Sequence, residues 1–429
     1  MRRIFVVLAT ALAMVLPAFV DAASAAPGPV MGPSYTTGFG PSGGFLPGRI
    51  SAPLIPGGSI TDVCAGTTNG STFTLNADCG PVDSSLTVPA NITTVDGAGH
   101  TISADDNGEG VPQFNGAIVT NEGAGQTMNI QNVTITGPAA GFQLCTEATN
   151  VLYGIFFNGA AGGTVSNVIV DHIFQFQNGL FGSCQTGRAI RADNSGTITI
   201  TGTTVRDYQK SGFEARGSTI MNVSGSTAGP SHPLEGLIAQ NGVSIVGAAG
   251  TVANNTIFGS GDAQAGVGGG AAGTAVLLFG AHDLTVTNNT LTSPAGRPGT
   301  DFGISVVSGS SGIVISFNRV DRLGPDVPDT FGNGIDVFTP DGSSATLICN
   351  TFSLWNINVV GAEQIACSGD HMNITRAPPR DGGGVQFVAG RRRISAGRDD
   401  RSALRDPAAL ASDADKPLGK FVVGRERAI

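Results

Sequence analysis

The chain is poor in charge and in large aromatic rings. Only 13% of its 429 residues are Asp, Glu, Lys or Arg, and it holds one Trp and three Tyr. Low charge beside 40% hydrophobic residues argues against a disordered polyelectrolyte. The 64 glycines follow no Gly-X-Y period, which excludes collagen. No Cys-x-x-Cys or Cys/His spacing of the metal-binding kind occurs. The glycine-rich stretch 266–273 has no lysine nearby, so it is not a phosphate loop. Basic and aromatic residues do not interleave, and nucleic acid is therefore not an expected partner. Past the first 25 residues no apolar run is long enough to span a bilayer.

What is present begins with a leader. Arg2 and Arg3 precede an apolar run from Ile4 to Val20, and Ala23-Ser24-Ala25 supplies small residues for cleavage. Residues 1–25 read as a secretory signal peptide, so a secreted, extracellular or periplasmic protein without membrane attachment after cleavage is expected. Six cysteines follow: Cys64, Cys79, Cys145, Cys184, Cys349 and Cys367. An even number in an exported chain favours disulfides. Sequence neighbours suggest Cys64–Cys79, Cys145–Cys184 and Cys349–Cys367, although six cysteines permit other pairings. Residues 26–60, with Pro27, Pro29, Pro33, Pro41, Pro47, Pro53 and Pro56, form a Pro/Gly-rich lead-in. Residues 376–429 hold 12 of the 23 Lys and Arg, including Arg391-Arg392-Arg393, and are expected to be a disordered tail.

Between these ends one hexamer recurs. It reads Ile130-Gln-Asn-Val-Thr-Ile135, Val165-Ser-Asn-Val-Ile-Val170, Ile200-Thr-Gly-Thr-Thr-Val205 and Val223-Ser-Gly-Ser-Thr-Ala228. It continues as Val252-Ala-Asn-Asn-Thr-Ile257, Val286-Thr-Asn-Asn-Thr-Leu291, Ile315-Ser-Phe-Asn-Arg-Val320 and Leu347-Ile-Cys-Asn-Thr-Phe352. The starts lie 35, 35, 23, 29, 34, 29 and 32 residues apart. A second phrase, a small residue and then an apolar one, precedes each copy: Ala117-Ile118, Gly154-Ile155, Ala189-Ile190, Gly212-Phe213, Gly242-Val243, Ala275-Val276, Gly303-Ile304 and Gly334-Ile335. Its apolar member sits 9 to 12 residues before the hexamer every time.

Two phrases locked together, with the third connection variable, imply two strands and a fixed turn per coil. Insertions are then tolerated at one corner. Strand side chains alternate faces, and one coil cannot bury its apolar face alone. The pattern therefore predicts an all-β fold over residues 61–367: a single-stranded right-handed parallel β-helix, a solenoid of about 8–10 coils. Asn255, Asn289, Asn318 and Asn350, the fourth residue of the last four hexamers, would stack at one turn as an amide ladder.

The phrase Val95-Asp96-Gly97-Ala98-Gly99-His100-Thr101-Ile102, followed by coils of the Val-x-x-Asn-Thr-Ile type, resembles the pectate-lyase-like superfamily of right-handed β-helix repeat proteins. The resemblance runs over roughly residues 60–367 and implies the fold. Pectate lyases, polygalacturonases, pectin methylesterases, alginate epimerases and phage tailspikes share it, as do repeat proteins without a known reaction. None of their catalytic sets transfers by motif. The polygalacturonase Asn-Thr-Asp, Asp-Asp, Gly-His-Gly and Arg-Ile-Lys set is missing. So are the clustered calcium-binding aspartates with an Arg base and the methylesterase aspartate pair with its Gln and Arg.

Charge distribution says more. Residues 27–375 hold 9 Lys and Arg against 24 Asp and Glu, and five of the nine are Arg188, Arg191, Arg206, Lys210 and Arg216. An acidic solenoid with one basic band suits an anionic linear polymer such as a uronic-acid chain. In a lyase a Lys or Arg takes the proton beside the carboxylate while a cation neutralises the acid. Lys210 is then the candidate base, Tyr208 the acid and Arg206 the carboxylate clamp, with Arg188 and Arg191 as further substrate contacts. Asp171-His172 matches Arg206-Asp207 in register, so Asp171 and Asp207 would pair for acid–base hydrolysis of a glycoside beside His172. Glu235, Gln240 and Asn241 abut this region from the next coil, and His232, between Pro230 and Pro233, would wall a groove.

A structural reading competes with this one. The aligned anchors put Arg191, Glu214 and Ser244 in one outward row and Asp193 beside Arg216, as exposed ion pairs that contribute little. Lys210 and Arg206 lie in the turn, outside these rows, and keep more functional weight. The expected function is binding of an extracellular polysaccharide or cell-surface glycan, with cleavage as a lyase or glycoside hydrolase. The alternative is a non-catalytic adhesion module or a structural cell-envelope repeat protein. No metal set or other cofactor is evident, calcium entering only with lyase chemistry.

Overall fold

Each hexamer has apolar residues at its first and sixth positions, both facing inward, which a continuous strand could not achieve. The computed structural model shows how the chain resolves this. It describes residues 57–105, 114–142, 151–175, 186–232, 240–259, 273–292, 300, 302–322, 333–355 and 357–367, together with the backbone of 372–374 and 389–391. All fall within the unit Leu46–Gly419, and a second unit, Met1–Phe45 with Lys420–Ile429, lies outside them. The hexamer straddles a corner. Ile130 and Gln131 close the strand Thr127–Gln131, and Thr134 opens Thr134–Thr136. The third hexamer residue takes a left-handed backbone in all eight copies (Asn132, Asn167, Gly202, Gly225, Asn254, Asn288, Phe317 and Cys349), with φ between 51° and 57°. Six of the eight are Asn or Gly, the residues that bear this conformation at least cost. A coil therefore has three strands, not the two expected from the repeat phrases.

Among the described residues the stacked coils build three sheets, parallel except for the hairpin of Gly66–Asn69 with Thr72–Leu75 at one edge of the second. The first holds 11 strands, among them Gly116–Asn121, Leu152–Asn158, Arg188–Asp193, Ser211–Arg216 and Asn241–Val246. The second holds 12 and includes Thr127–Gln131, Gly162–Ser166, Thr197–Thr201 and Ile220–Ser224. The third holds 10 and includes Thr134–Thr136, Ile169–Asp171, Thr204–Val205 and Thr227–Ala228. The apolar anchors Ile155, Ile190, Phe213, Val243, Val276, Ile304 and Ile335 follow one another in register along the first sheet. They and the first and last hexamer residues are buried in one continuous core. Each such Val, Ile or Leu contributes about 1.5–3 kcal/mol by burial. The small partner before each anchor has its own reason: a Cβ at Gly242 would collide with Ile257 and the carbonyl of Ala275.

The fourth hexamer position fixes the corner between the second and third sheets. Asn255, Asn289 and Asn318 each donate Nδ2 to Oδ1 of the next Asn, at 3.0, 2.9 and 2.9 Å. Their backbone N–H groups donate to the same oxygens at 3.0 Å. A further bond from each Nδ2 reaches a strand carbonyl of the preceding coil. Asn350 continues the row, and Gln364 ends it by accepting from both the backbone N–H and Nδ2 of Asn350. Ser226 and Thr203 carry the row into earlier coils with hydroxyls.

The described ends are stapled. At one, Cys64–Cys79 joins a short helix, Ile60–Val63, whose Ile60 is buried, to the strand Cys79–Val82. At the other, Cys349 bonds Cys367. Cys145 and Cys184 lie outside the described residues, as do the leader and most of the lead-in. The strand Ala389–Arg391 pairs antiparallel with Met372–Ile374, so the tail expected to be disordered contributes at least one strand; the rest of residues 376–429 is not described. Among the described residues no helix is long and apolar enough to cross a membrane.

Candidate functional site

The connection from the third sheet back to the first varies most in length. Residues 172–187 form it in one coil and only residues 206–210 in the next. Here functional side chains meet. Ile173 pairs with Tyr208 across the two coils, and the Ile173 N–H donates to the Asp207 carbonyl at 3.0 Å. That register puts Asp171 beside Arg206 and His172 beside Asp207. His172 and Asp207 both adopt left-handed backbone, φ 56° and 51°. From the following coil, Pro230 accepts the Asp207 N–H at 2.8 Å, which brings His232 alongside.

The result is a chain of five groups over three coils. Arg206 donates from Nη2 and Nε to Asp171 Oδ2 at 2.8 and 2.9 Å. Asp171 Oδ1 lies 3.0 Å from His172 Nδ1. His172 Nε2 lies 3.5 Å from Asp207 Oδ2, and Asp207 Oδ1 lies 2.7 Å from His232 Nδ1. The His232 ring stacks on Phe174 at 3.6 Å between centroids, inclined by 9°. Its carbonyl accepts from Gln240 Nε2 at 2.9 Å, and Gln240 also bonds the Gln209 carbonyl and Ser231. Asp171 is buried and the two imidazoles and Asp207 are half-buried, while the Arg206 side chain is 52% exposed. The arrangement can hold an anion at Arg206 and accept a proton at an imidazole whose other nitrogen is fixed by a carboxylate. It can also ligate a cation: oxygens of Asp171 and Asp207 and a nitrogen of His172 lie within 4.8 Å of one another.

Several expected site residues have surroundings other than those expected. Tyr208 is wholly buried in the core, which removes it as an acid at a surface site. Lys210 is half-buried on the short turn, its N–H bonded to the Gly187 carbonyl. Arg206 has a partner after all, Asp171. Gln240 is buried and holds His232 by its backbone rather than facing a groove. Asn241 is buried too, and among the described residues neither its Oδ1 nor the Oγ of Ser211, with which it lies in register, has a partner. Glu235 lies outside the described residues. His232 was expected only as a wall residue, because its approach to Asp207 depends on the loop path and not on the repeat.

The arginines of the first sheet form a different cluster. Arg191, Glu214 and Ser244 do lie in one row and Asp193 beside Arg216. The row is not an exposed one, for Glu214 is only 1% exposed. It accepts from Arg188 Nε and Arg216 Nε, both at 2.6 Å, and faces Arg191 at 3.5 Å. Arg191 is bidentate on Asp193 at 2.8 and 2.6 Å and lies 4.9 Å above the Tyr153 ring. Burial pushes the Glu214 carboxyl up, but Arg188, Arg216 and Arg191 outweigh it and hold it well below the usual carboxylate range. Burial likewise raises the Tyr153 phenol. Arg188 is thus paired with Glu214, and Arg191 with Asp193 and Glu214, in the first sheet.

Comparison with known proteins agrees with this architecture. The family described as "Right handed beta helix region" matches residues 153–369, a little over half the chain. Among solved structures, the enzymatically active domain of bacteriophage CBA120 tailspike protein 2 is similar at 13% identity and a TM-score of 0.47, covering 75% of this chain and 47% of that one. The chain thus spans about half the length of that domain. A double mutant of the periplasmic alginate epimerase AlgG is similar at 10% identity and a TM-score of 0.31, over 70% of this chain and 80% of the other. No curated protein matches by sequence.

Proposed function

The chain belongs to the right-handed β-helix family, and on that premise we propose that it binds a linear acidic polysaccharide outside the cell and cleaves it by elimination at the corner of residues 171–175, 206–210 and 229–232. The observation that carries the reading is the Arg206–Asp171–His172–Asp207–His232 chain, which runs along the stacking direction where an extended polymer would lie. Half-exposed Arg206 keeps guanidinium donors for a uronate carboxylate. Asp207 fixes the orientation of His232 through Nδ1 and leaves Nε2 to take the proton from the carbon beside that carboxylate. The C–O bond to the leaving sugar then breaks as a C=C bond forms, and Lys210 on the same short turn protonates the leaving oxygen. The base role so passes from Lys210 to His232. Two disulfides support an oxidising, exported compartment, in keeping with the leader.

The test is incubation with a panel of acidic and neutral polysaccharides, with and without added divalent cations. The readouts are ultraviolet absorbance of unsaturated ends and the release of reducing ends. Both should rise together on an acidic chain, and His232→Gln should slow the rise by about 100-fold or more, as for loss of a general base. Reducing ends without unsaturation would replace elimination by hydrolysis. Binding with neither signal would leave a non-catalytic adhesion module.

A further inference from the structure

The bonding around His172 is symmetrical in a way that the proton chemistry above does not need. Each neighbouring carboxylate gives one oxygen to an outer partner and turns the other to the imidazole. Asp171 spends Oδ2 on Arg206 and faces His172 with Oδ1, which also accepts the His172 N–H at 2.8 Å. Asp207 spends Oδ1 on His232 and faces His172 with Oδ2. Ligands that hold a metal are typically oriented by outer hydrogen bonds of this kind. We propose that Asp171, His172 and Asp207 form a binding site for a divalent transition-metal ion, oriented by Arg206 and His232.

The donor chemistry narrows the ion. One imidazole and two carboxylates make a mixed nitrogen and oxygen set that suits Zn²⁺ or Mn²⁺. Calcium takes six to eight oxygens, and the described residues of this corner supply far fewer. The three donor atoms lie within 4.8 Å of one another, and the site closes on the ion to reach the spacing of roughly 3.4 Å that tetrahedral ligands adopt at about 2.1 Å from a metal. Three protein ligands leave further coordination positions, the condition of a site able to take water or a substrate oxygen. Asp171 faces Nδ1 of His172 and Asp207 faces Nε2, so the ion takes one ring nitrogen and the carboxylate at the other turns toward it, while Arg206 and His232 hold the outer oxygens.

The site goes beyond the polysaccharide reading and is tested without any saccharide, so either can fail alone. The untagged full-length chain, stripped with chelator, is titrated with Zn²⁺ alone by calorimetry, and bound metal is counted after dialysis. One ion per chain is expected, with Mn²⁺ competing and Ca²⁺ and Mg²⁺ at least tenfold weaker. Co²⁺ in place of Zn²⁺ should give a visible absorption of nitrogen and oxygen ligation. Asp207→Asn and His172→Gln should abolish stoichiometric binding, and Arg206→Ala should weaken it about tenfold. His282→Gln, which removes an exposed histidine beside Asp283 on the second sheet, should change nothing. Far-UV spectra check that each variant keeps its strands. No stoichiometric ion on the unaltered chain, or an ion that survives both ligand substitutions in folded variants, would overturn the proposal, and so would equal affinity for Ca²⁺.

Discussion

Glu214 is the residue whose environment departs furthest from what its type suggests. A carboxylate with no solvent contact is costly unless fully compensated, and three guanidinium groups compensate it here. Replacing it with Gln strands those cations on the first sheet, and the expected loss is about 3–5 kcal/mol of unfolding free energy by urea titration. Because folding lowers the Glu214 carboxyl, its contribution is present in full above the ordinary carboxylate value near 4.3. It is lost as pH falls from there through the folded value. The stability gap between wild type and Glu214→Gln should therefore be complete at neutral pH, narrow below about pH 4 and close in stronger acid. A gap that widens on acidification would contradict the assignment.

At the scale of the element, the corner ladder matters more than any strand. Asn318 accepts two bonds from Asn289 and donates to Val286 and Asn350. Asn318→Ala leaves several buried groups without partners and should cost about 3 kcal/mol, at about 1–3 kcal/mol for each unsatisfied group with partial relaxation. Asn318→Ser should cost less, since Ser226 fills the equivalent position with a single hydroxyl that accepts the Thr203 N–H. Thermal and urea unfolding of the pair would check the order. This ladder was legible because Asn recurs at the fourth position of the last four hexamers, and so were the register of Arg191 with Glu214 and that of Asp171-His172 with Arg206-Asp207. The sense of the hexamer was not legible. Two inward apolar residues five positions apart demand a bend, and only the left-handed third residue reveals it. His232 and the burial of Tyr208 escaped for a related reason: both depend on how an irregular connection closes, and the repeat carries no information about it.

For the solenoid as a whole, the exposed ends of parallel sheets are the hazard, since an open edge pairs with other chains. The short helix Ile60–Val63 and the hairpin of Gly66–Asn69 with Thr72–Leu75 cap one described end, and fully buried Ile60 anchors the helix to the core. Ile60→Asp should remove about 2 kcal/mol of apolar burial and loosen that cap. Light scattering after size exclusion should then show higher-order species that the native chain lacks, while spectra still report strands. A variant that stays the size of the native chain would show that the cap is dispensable.

The ladder also has a direction. The side-chain amide and backbone N–H of Asn255 are satisfied by Asn289, those of Asn289 by Asn318, and those of Asn318 by Asn350, each from the coil that follows in the chain. A chain that folds from its N-terminal end therefore leaves each newly closed Asn corner with two waiting donors until the next coil forms. Growth proceeds as a zipper with one open tooth at its advancing tip, and Gln364 is the stop that closes it.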